Sequence, residues 1–154
     1  MPPEISVRKD PPRRWAGVRR TVRAPEIGAF CSEVLPRIAR QLEAHGVPMH
    51  GPPVIVYHAH DEAAGAFDMT AGFFVPADAT VEGLDVGEIG PGSAAWTTHR
   101  GPYHLLGDAH GAIRDWTDSH GWRPRGPCFD VYVDDPGAVA ETELRTEVVW
   151  PVWR

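Results

Sequence analysis

Two stretches of the chain decide its fold: GVPMHGPPVIVY over residues 46–57 and GWRPRGPCFDVY over residues 121–132. Gly46 aligns with Gly121, Gly51 with Gly126, Pro52 with Pro127 and Tyr57 with Tyr132, all at an offset of 75 residues. Each stretch follows a helical pattern and runs into a strand pattern, and self-similarity at one fixed offset is how a duplicated module shows in sequence. The chain holds 16 Gly and 16 Pro in 154 residues, so matches between these types arise easily by chance. Four matches at one offset, both behind a helix, favour duplication over shared turn composition.

The pattern extends outward from both copies. Trp15 to Arg23 alternates as a strand, and Ala24-Pro25-Glu26 opens a helix, with Pro at a first-turn position and Glu beside the positive end of the dipole. Ile27, Phe30, Cys31, Val34, Leu35, Ile38 and Leu42 form one apolar stripe; Pro36 within it is expected to kink or split the helix, and Gly46 ends it. Pro53–Ala59 and Phe67–Val75 read as strands, followed by a Gly/Asp-rich link over about 77–91. The order then begins again. Ser93–His99 is a strand, and Arg100-Gly101-Pro102 turns into a helix with the stripe Leu105, Ala109, Ala112, Ile113 and Trp116, closed by Gly121. Cys128–Val133 and Glu143–Trp153 are the last strands. The expected fold is α+β, a single domain over residues 1–154. Two pseudo-symmetric β-α-β-β repeats (about 5–76 and 92–153) form an antiparallel sheet with two helices on one face and a ligand cleft between the halves.

Composition narrows the function classes. The chain is 42% hydrophobic and 23% charged, which fits a packed globular domain. No apolar run reaches the ~20 residues of a membrane span, and Met1-Pro2-Pro3-Glu4 opens no secretion signal, so a cytoplasmic protein is expected. Cys31 and Cys128 suit neither a zinc site nor a redox motif. The net charge of −6 weighs against direct nucleic-acid binding. Residues 1–23 nevertheless hold seven Lys/Arg against two acids (+5), leaving 8 against 19 (−11) in the remainder; the arginines read as the solvent face of a first strand.

Asp130 is the leading candidate for function. On a strand, Cys128, Asp130 and Tyr132 share one face while Phe129, Val131 and Val133 share the other. At the equivalent place in the first copy stands Ile55, beside Tyr57, so one repeat carries an aliphatic residue where the other carries an acid. A buried carboxylate costs several kcal/mol unless paired. The bland alternative is an acid near a strand end, capping a turn or pairing with Arg123 or Arg125. Trp96, Tyr57, Phe74, Tyr103, Phe129 and Trp150 are further pocket aromatics or core residues. His58 and His60 project to one strand face at a spacing that binds metals, but no third ligand is near, and a surface pair without metal is expected. His99 precedes a turn whose backbone it is placed to hydrogen-bond; the alternative, a general base, has no further support in the sequence.

The second half carries a resemblance. Ala94-Ala95-Trp96-Thr97-Thr98-His99-Arg100-Gly101-Pro102-Tyr103 is a strand ending in an H-x-G-P-Y turn. Asp130-Val131-Tyr132-Val133-Asp134-Asp135-Pro136 is similar to an E-x-Y-x-x-D-P strand, and Thr146-Glu147-Val148-Val149-Trp150-Pro151-Val152 to a closing strand. Together these resemble the GyrI-like small-molecule-binding family, found as effector-binding domains of AraC- and MerR-type regulators and as free-standing proteins. The first half fits more loosely, through Gly51-Pro52-Pro53 and the strand to Tyr57. The resemblance implies an acid at the base of an aromatic pocket for flat, often cationic molecules. Asp130 stands where the family has Glu, one methylene shorter. Three functions follow from it. The first is a free-standing protein that binds a hydrophobic, flat or cationic ligand through Asp130, Tyr132, Trp96, Tyr57, Phe74, Tyr103 and Trp150. The second is a hydrolase of cyclopropane-bearing genotoxic natural products, with Asp130 as general base. The third is a gyrase-inhibitor-like partner of another protein. No cofactor is implied; haem binding, known in a structurally related family, has no specific signal here.

Overall fold

A computed structural model describes residues 3–154. The Met1-Pro2 start, part of the N-terminal reading, lies outside the described residues. The fold is α+β, two helices with antiparallel strands, and it divides into two compact units: Pro12–Ile89, and the segment up to Pro11 together with Gly90–Arg154.

In the unit Pro12–Ile89, β2 (Arg13–Arg23) pairs on one side with β4 (Ala66–Val75) and on the other with β5 (Asp85–Ile89), and β3 (Val54–Asp61) pairs with β4. The helix α1 (Ile27–Ala44) buries Phe30, Val34, Ile38 and Leu42, four members of the expected stripe. It continues as one helix through Pro36, so the split does not occur. Pro36 and Ser32, whose carbonyl loses its helical donor, are both exposed, so the missing hydrogen bond falls on the solvent side of the helix.

The other unit places β6 (Gly92–Arg100) between β1 (Ser6–Asp10) and β9 (Arg145–Trp153), with β8 (Cys128–Tyr132) on the far side of β9. The two-residue β7 (Arg123–Pro124) also pairs with β9. The helix α2 (Leu106–Ser119) buries Leu106, Ala109, Ile113 and Thr117. The expected stripe began at Leu105, which is 42% exposed; a short 3-10 turn (Tyr103–Leu105) precedes the α-helix and shifts the buried face by one residue. Three strands lie where none was expected: β1, β5 inside the link, and the two-residue β7.

The 75-residue spacing recurs in the backbone. Both helices end in the same motif, Gly46 at φ 68° and Gly121 at φ 74°, with the Val47 and Trp122 amides donating back five residues to the Leu42 and Thr117 carbonyls, each at 2.9 Å. His45 and His120 stand at the same offset, and each brings Nδ1 to 2.8 Å from the carbonyl oxygen four residues earlier. The caps therefore match in side-chain detail as well as in glycine placement.

Gly17 and Gly72 face each other across β2 and β4. A Cβ on either would run into the opposite strand, at the Ala71 or Ala16 carbonyl oxygen. Gly28, exposed in α1, has nothing within 4 Å of an added Cβ. Gly72→Ala is expected to destabilise the protein by about 2–3 kcal/mol through overpacking. Gly28→Ala stabilises it by about 0.5–1 kcal/mol through helix propensity. Thermal unfolding of both variants checks the pair, and a neutral Gly72→Ala would show that the strands separate without cost.

Candidate functional site

Most functional candidates of the second unit gather beneath α2. Ala95, Val148 and Val152 of the strands pack with Leu106, Ala109 and Ile113 of the helix, and Tyr103, Tyr132, Trp116 and Trp150 border this cluster. In register, Asp130 lies opposite Val148 and Tyr132 opposite Thr146, so β8 turns Asp130 and Tyr132 toward the helix as its alternation dictates. Phe129 and Val131 take the other face, both buried.

Asp130 is fully buried. His110, one turn along the helix stripe from Leu106, brings Nε2 to 2.9 Å from Asp130 Oδ1. Trp150 Nε1 lies 2.9 Å from His110 Nδ1. An indole N–H only donates, so Nδ1 carries a lone pair in this arrangement and Nε2–H donates to the carboxylate. The result is a directed chain, Trp150 to His110 to Asp130. Arg125, one of the two alternative partners for Asp130, instead donates to the backbone carbonyls of Val152 and Ser93.

Two demands meet on the His110 ring. Burial by itself would lower its pKa, but the hydrogen bonds and charges of Asp130 and Cys128 outweigh burial and raise it to about 10 from the ordinary 6.5. The Trp150 indole acts in the opposite sense, because a proton on Nδ1 would break its hydrogen bond. The carboxylate therefore draws a proton onto the ring, and the indole restrains it.

The remaining candidates are distributed as follows. Tyr103, in the turn before α2, meets Tyr132 edge to face with ring centroids 5.1 Å apart. Trp96 lies on the face of β6 away from α2, where Arg8 stands 5.0 Å over its ring while bonding Asp10 at 2.7 Å and Glu147 at 2.6 Å. Tyr57 faces α1 in its own unit, edge-on to Phe67 at 5.6 Å. Phe74 is on the opposite face of that unit, across from Trp15 and under the Arg13 guanidinium at 5.2 Å. Asp130, Tyr132, Tyr103 and Trp150 thus come together, whereas Trp96 is turned away from them.

The expected His58/His60 pair does not form on one face. The register between β3 and β4 slips after Tyr57, and this bulge separates them. His58 Nε2 lies 2.8 Å from Thr70 Oγ1, with its pKa lowered by burial and then by Arg19, while His60 stacks on Phe67 at 4.2 Å. No cluster of three or more metal-ligating side chains exists among the described residues. His99 Nε2 reaches the Pro102 carbonyl at 3.0 Å, closing the turn as its position suggested. Both cysteines are free thiols, and burial pushes Cys31 up to about 11. No helix among the described residues is long and apolar enough to cross a membrane.

His110 was missed by the sequence reading. Its signal was available: Leu106, Ala109, His110 and Ile113 share a helical face, so a polar side chain interrupts an apolar stripe that points at the strand carrying Asp130. Replacing Asp130 by Asn removes the chief counterweight to burial, and His110 is expected to titrate far below its wild-type value, as read from imidazole proton shifts. With the folded-state pKa above 6.5, the pair's stabilisation is complete below that pH and is lost as the pH rises through about 10. The wild-type Tm therefore falls over this range by more than that of Asp130→Asn; equal falls would show that the pair carries no proton-linked stability.

No curated protein matches the chain. Among solved structures, the crystal structure of the EcmrR C-terminal domain is similar at a TM-score of 0.81 and 21% identity, covering 100% of this chain and 99% of that one. EcmrR in its DNA complex gives a TM-score of 0.85 at 19% identity, and this chain, covered in full, spans 59% of that protein's length. A hydrolase from Listeria innocua has a TM-score of 0.63 at 12% identity, over 97% of this chain and 92% of that one. SAV2435 bound to tetraphenylphosphonium has a TM-score of 0.64 at 13% identity, over 97% and 94%. At these identities the likeness establishes the fold alone. Residues 3–152, almost the whole chain, match a family in sequence, and by that match the protein belongs to the GyrI-like small molecule binding domain family.

Proposed function

We propose that this protein binds hydrophobic, flat or cationic small molecules beneath α2, in a site walled by Tyr103, Tyr132 and Trp150 around Asp130. The observation that carries this reading is the Trp150–His110–Asp130 chain. A carboxylate with no exposed surface is costly in a cluster otherwise built of apolar and aromatic side chains, and such expense is common at functional sites. Aromatic walls beside a polar group are what a small-molecule site uses for contact area and orientation. The tetraphenylphosphonium held by SAV2435, a protein of the same fold, supports the ligand class.

Binding is favoured over hydrolysis of a strained ring. A general base needs a lone pair directed at water or substrate. Asp130 has no exposed surface through which to meet water or substrate, and its Oδ1 is already engaged by His110 Nε2. The hydrolase likeness is at 12% identity and speaks for the fold only.

Titration with tetraphenylphosphonium, followed by tryptophan fluorescence, is expected to quench saturably. Most of the quench disappears in Trp150→Phe, and Tyr132→Leu weakens binding by about tenfold as its ring contact is lost. Absence of saturable quenching overturns the reading. Turnover of a cyclopropane-bearing alkylator by the wild type, abolished in Asp130→Asn, would replace it with hydrolysis.

A further inference from the structure

Cys128 opens β8 on the same face as Asp130 and Tyr132, and its free thiol is half-buried where Asp130 is fully buried. In register, Phe129 lies opposite Val149 and Asp130 opposite Val148, which carries Cys128 along β9 toward Trp150. The imidazole of His110 spans the same interval, from Trp150 at Nδ1 to Asp130 at Nε2. Cys128 thus stands at the Trp150 end of the ring, and its side chain hydrogen-bonds His110. The His110 side chain keeps 20% of its surface exposed, so base and thiol are both met from solvent.

A nucleophile, a base within hydrogen-bonding reach and a third group that orients the base make up the apparatus of an activated side chain. Cys128, His110 and Asp130 fill these three places in order. With Nε2–H donating to Asp130, the ring's lone pair is on Nδ1, and the carboxylate strengthens the ring's hold on a second proton. The Trp150 indole competes for that lone pair. Cys31, a free thiol on α1 that burial pushes up to about 11, supplies an internal comparison. A polarised alkene asks for two groups only, a nucleophile and a proton for the carbon next to the carbonyl, and this cluster holds both.

We propose that Cys128 is a covalent capture site for α,β-unsaturated carbonyl compounds, with His110 as its base and Asp130 as the group that orients the base. His110 Nδ1 leaves the indole and takes the thiol proton, and Cys128 Sγ forms a bond to the β-carbon of the alkene. The π pair moves onto the α-carbon, and the proton on Nδ1 passes to it. The imidazole ends neutral and the product is a saturated thioether, with no oxidant, reductant or leaving group involved. This activity goes beyond reversible binding and does not depend on it.

The probe is 2-cyclohexenone, with adducts on the native protein timed and located by mass spectrometry. In wild type, Cys128 is expected to add it about tenfold faster than glutathione at the same pH, while Cys31 stays unmodified. His110→Gln keeps an N–H for Asp130 but removes the ring's lone pair, and is expected to slow addition at Cys128 by about tenfold or more. Trp150→Phe is expected to speed it by about threefold, because Nδ1 is released from the indole. The assignment is overturned if Cys128 reacts no faster than glutathione, or if Cys31 reacts first. It is equally overturned if His110→Gln leaves the rate unchanged or Trp150→Phe lowers it. The comparison with glutathione and Cys31 uses wild type alone, so it decides the matter even where a substitution unfolds the protein.

Discussion

The constraint on which the second unit depends is the burial of the Asp130 carboxylate. A charge with no solvent contact must be met by donors in fixed places, and here an imidazole is one of them. That requirement fixes the rotation of α2. Turning the helix by one position would bring Ala109 or Gly111 to the place of His110, and neither has a side-chain donor. Trp150 then fixes the imidazole, because its donor-only nitrogen selects which ring nitrogen faces the acid. One polar atom in β8 thus sets the register of the helix above it and the tilt of an indole on β9.

The shorter side chain of Asp130 acquires a meaning from this chain. The resemblance puts a longer Glu at the base of the family's pocket; here the shorter Asp130 is held by His110. The arrangement exchanges reach for order. The imidazole of a helix residue holds the carboxylate in place and satisfies one of its oxygens from within the fold.

Much of this was legible in the residues. The 75-residue offset located both helix ends, since a glycine past the last turn has a backbone signature that survives in sequence. The alternation of Cys128, Asp130 and Tyr132 was readable because strand periodicity is rigid. What escaped were features decided by neighbours distant in sequence. The bulge after Tyr57 leaves no residue-type signal, yet it sends His58 to Thr70 and His60 to Phe67 on opposite faces. The edge strands β1 and β5 are five residues each, short and polar, so their pairing with β6 and β2 decides what their composition does not. His110 was overlooked because an apolar stripe was read for its apolar members; the exception within it was the informative residue. Pro36 shows the converse, a strong helix breaker that stands on the exposed side of α1 without splitting it.

The pairing of β1 with β6 sets an order of events during synthesis. Ser6 is made early but is matched to Trp96, and the whole Pro12–Ile89 unit is made in the interval. That unit is contiguous, and its strands and helix are complete once Ile89 has emerged. The unit that holds Asp130 is split along the chain, and its first strand waits as an unpaired edge until the partner strand appears. Closing so long a loop is entropically slow, so this half is the later to mature and its N-terminal strand is exposed to wrong partners meanwhile. The Arg8, Lys9 and Asp10 side chains on that waiting strand discourage edge-to-edge association until Ala94 and its neighbours arrive.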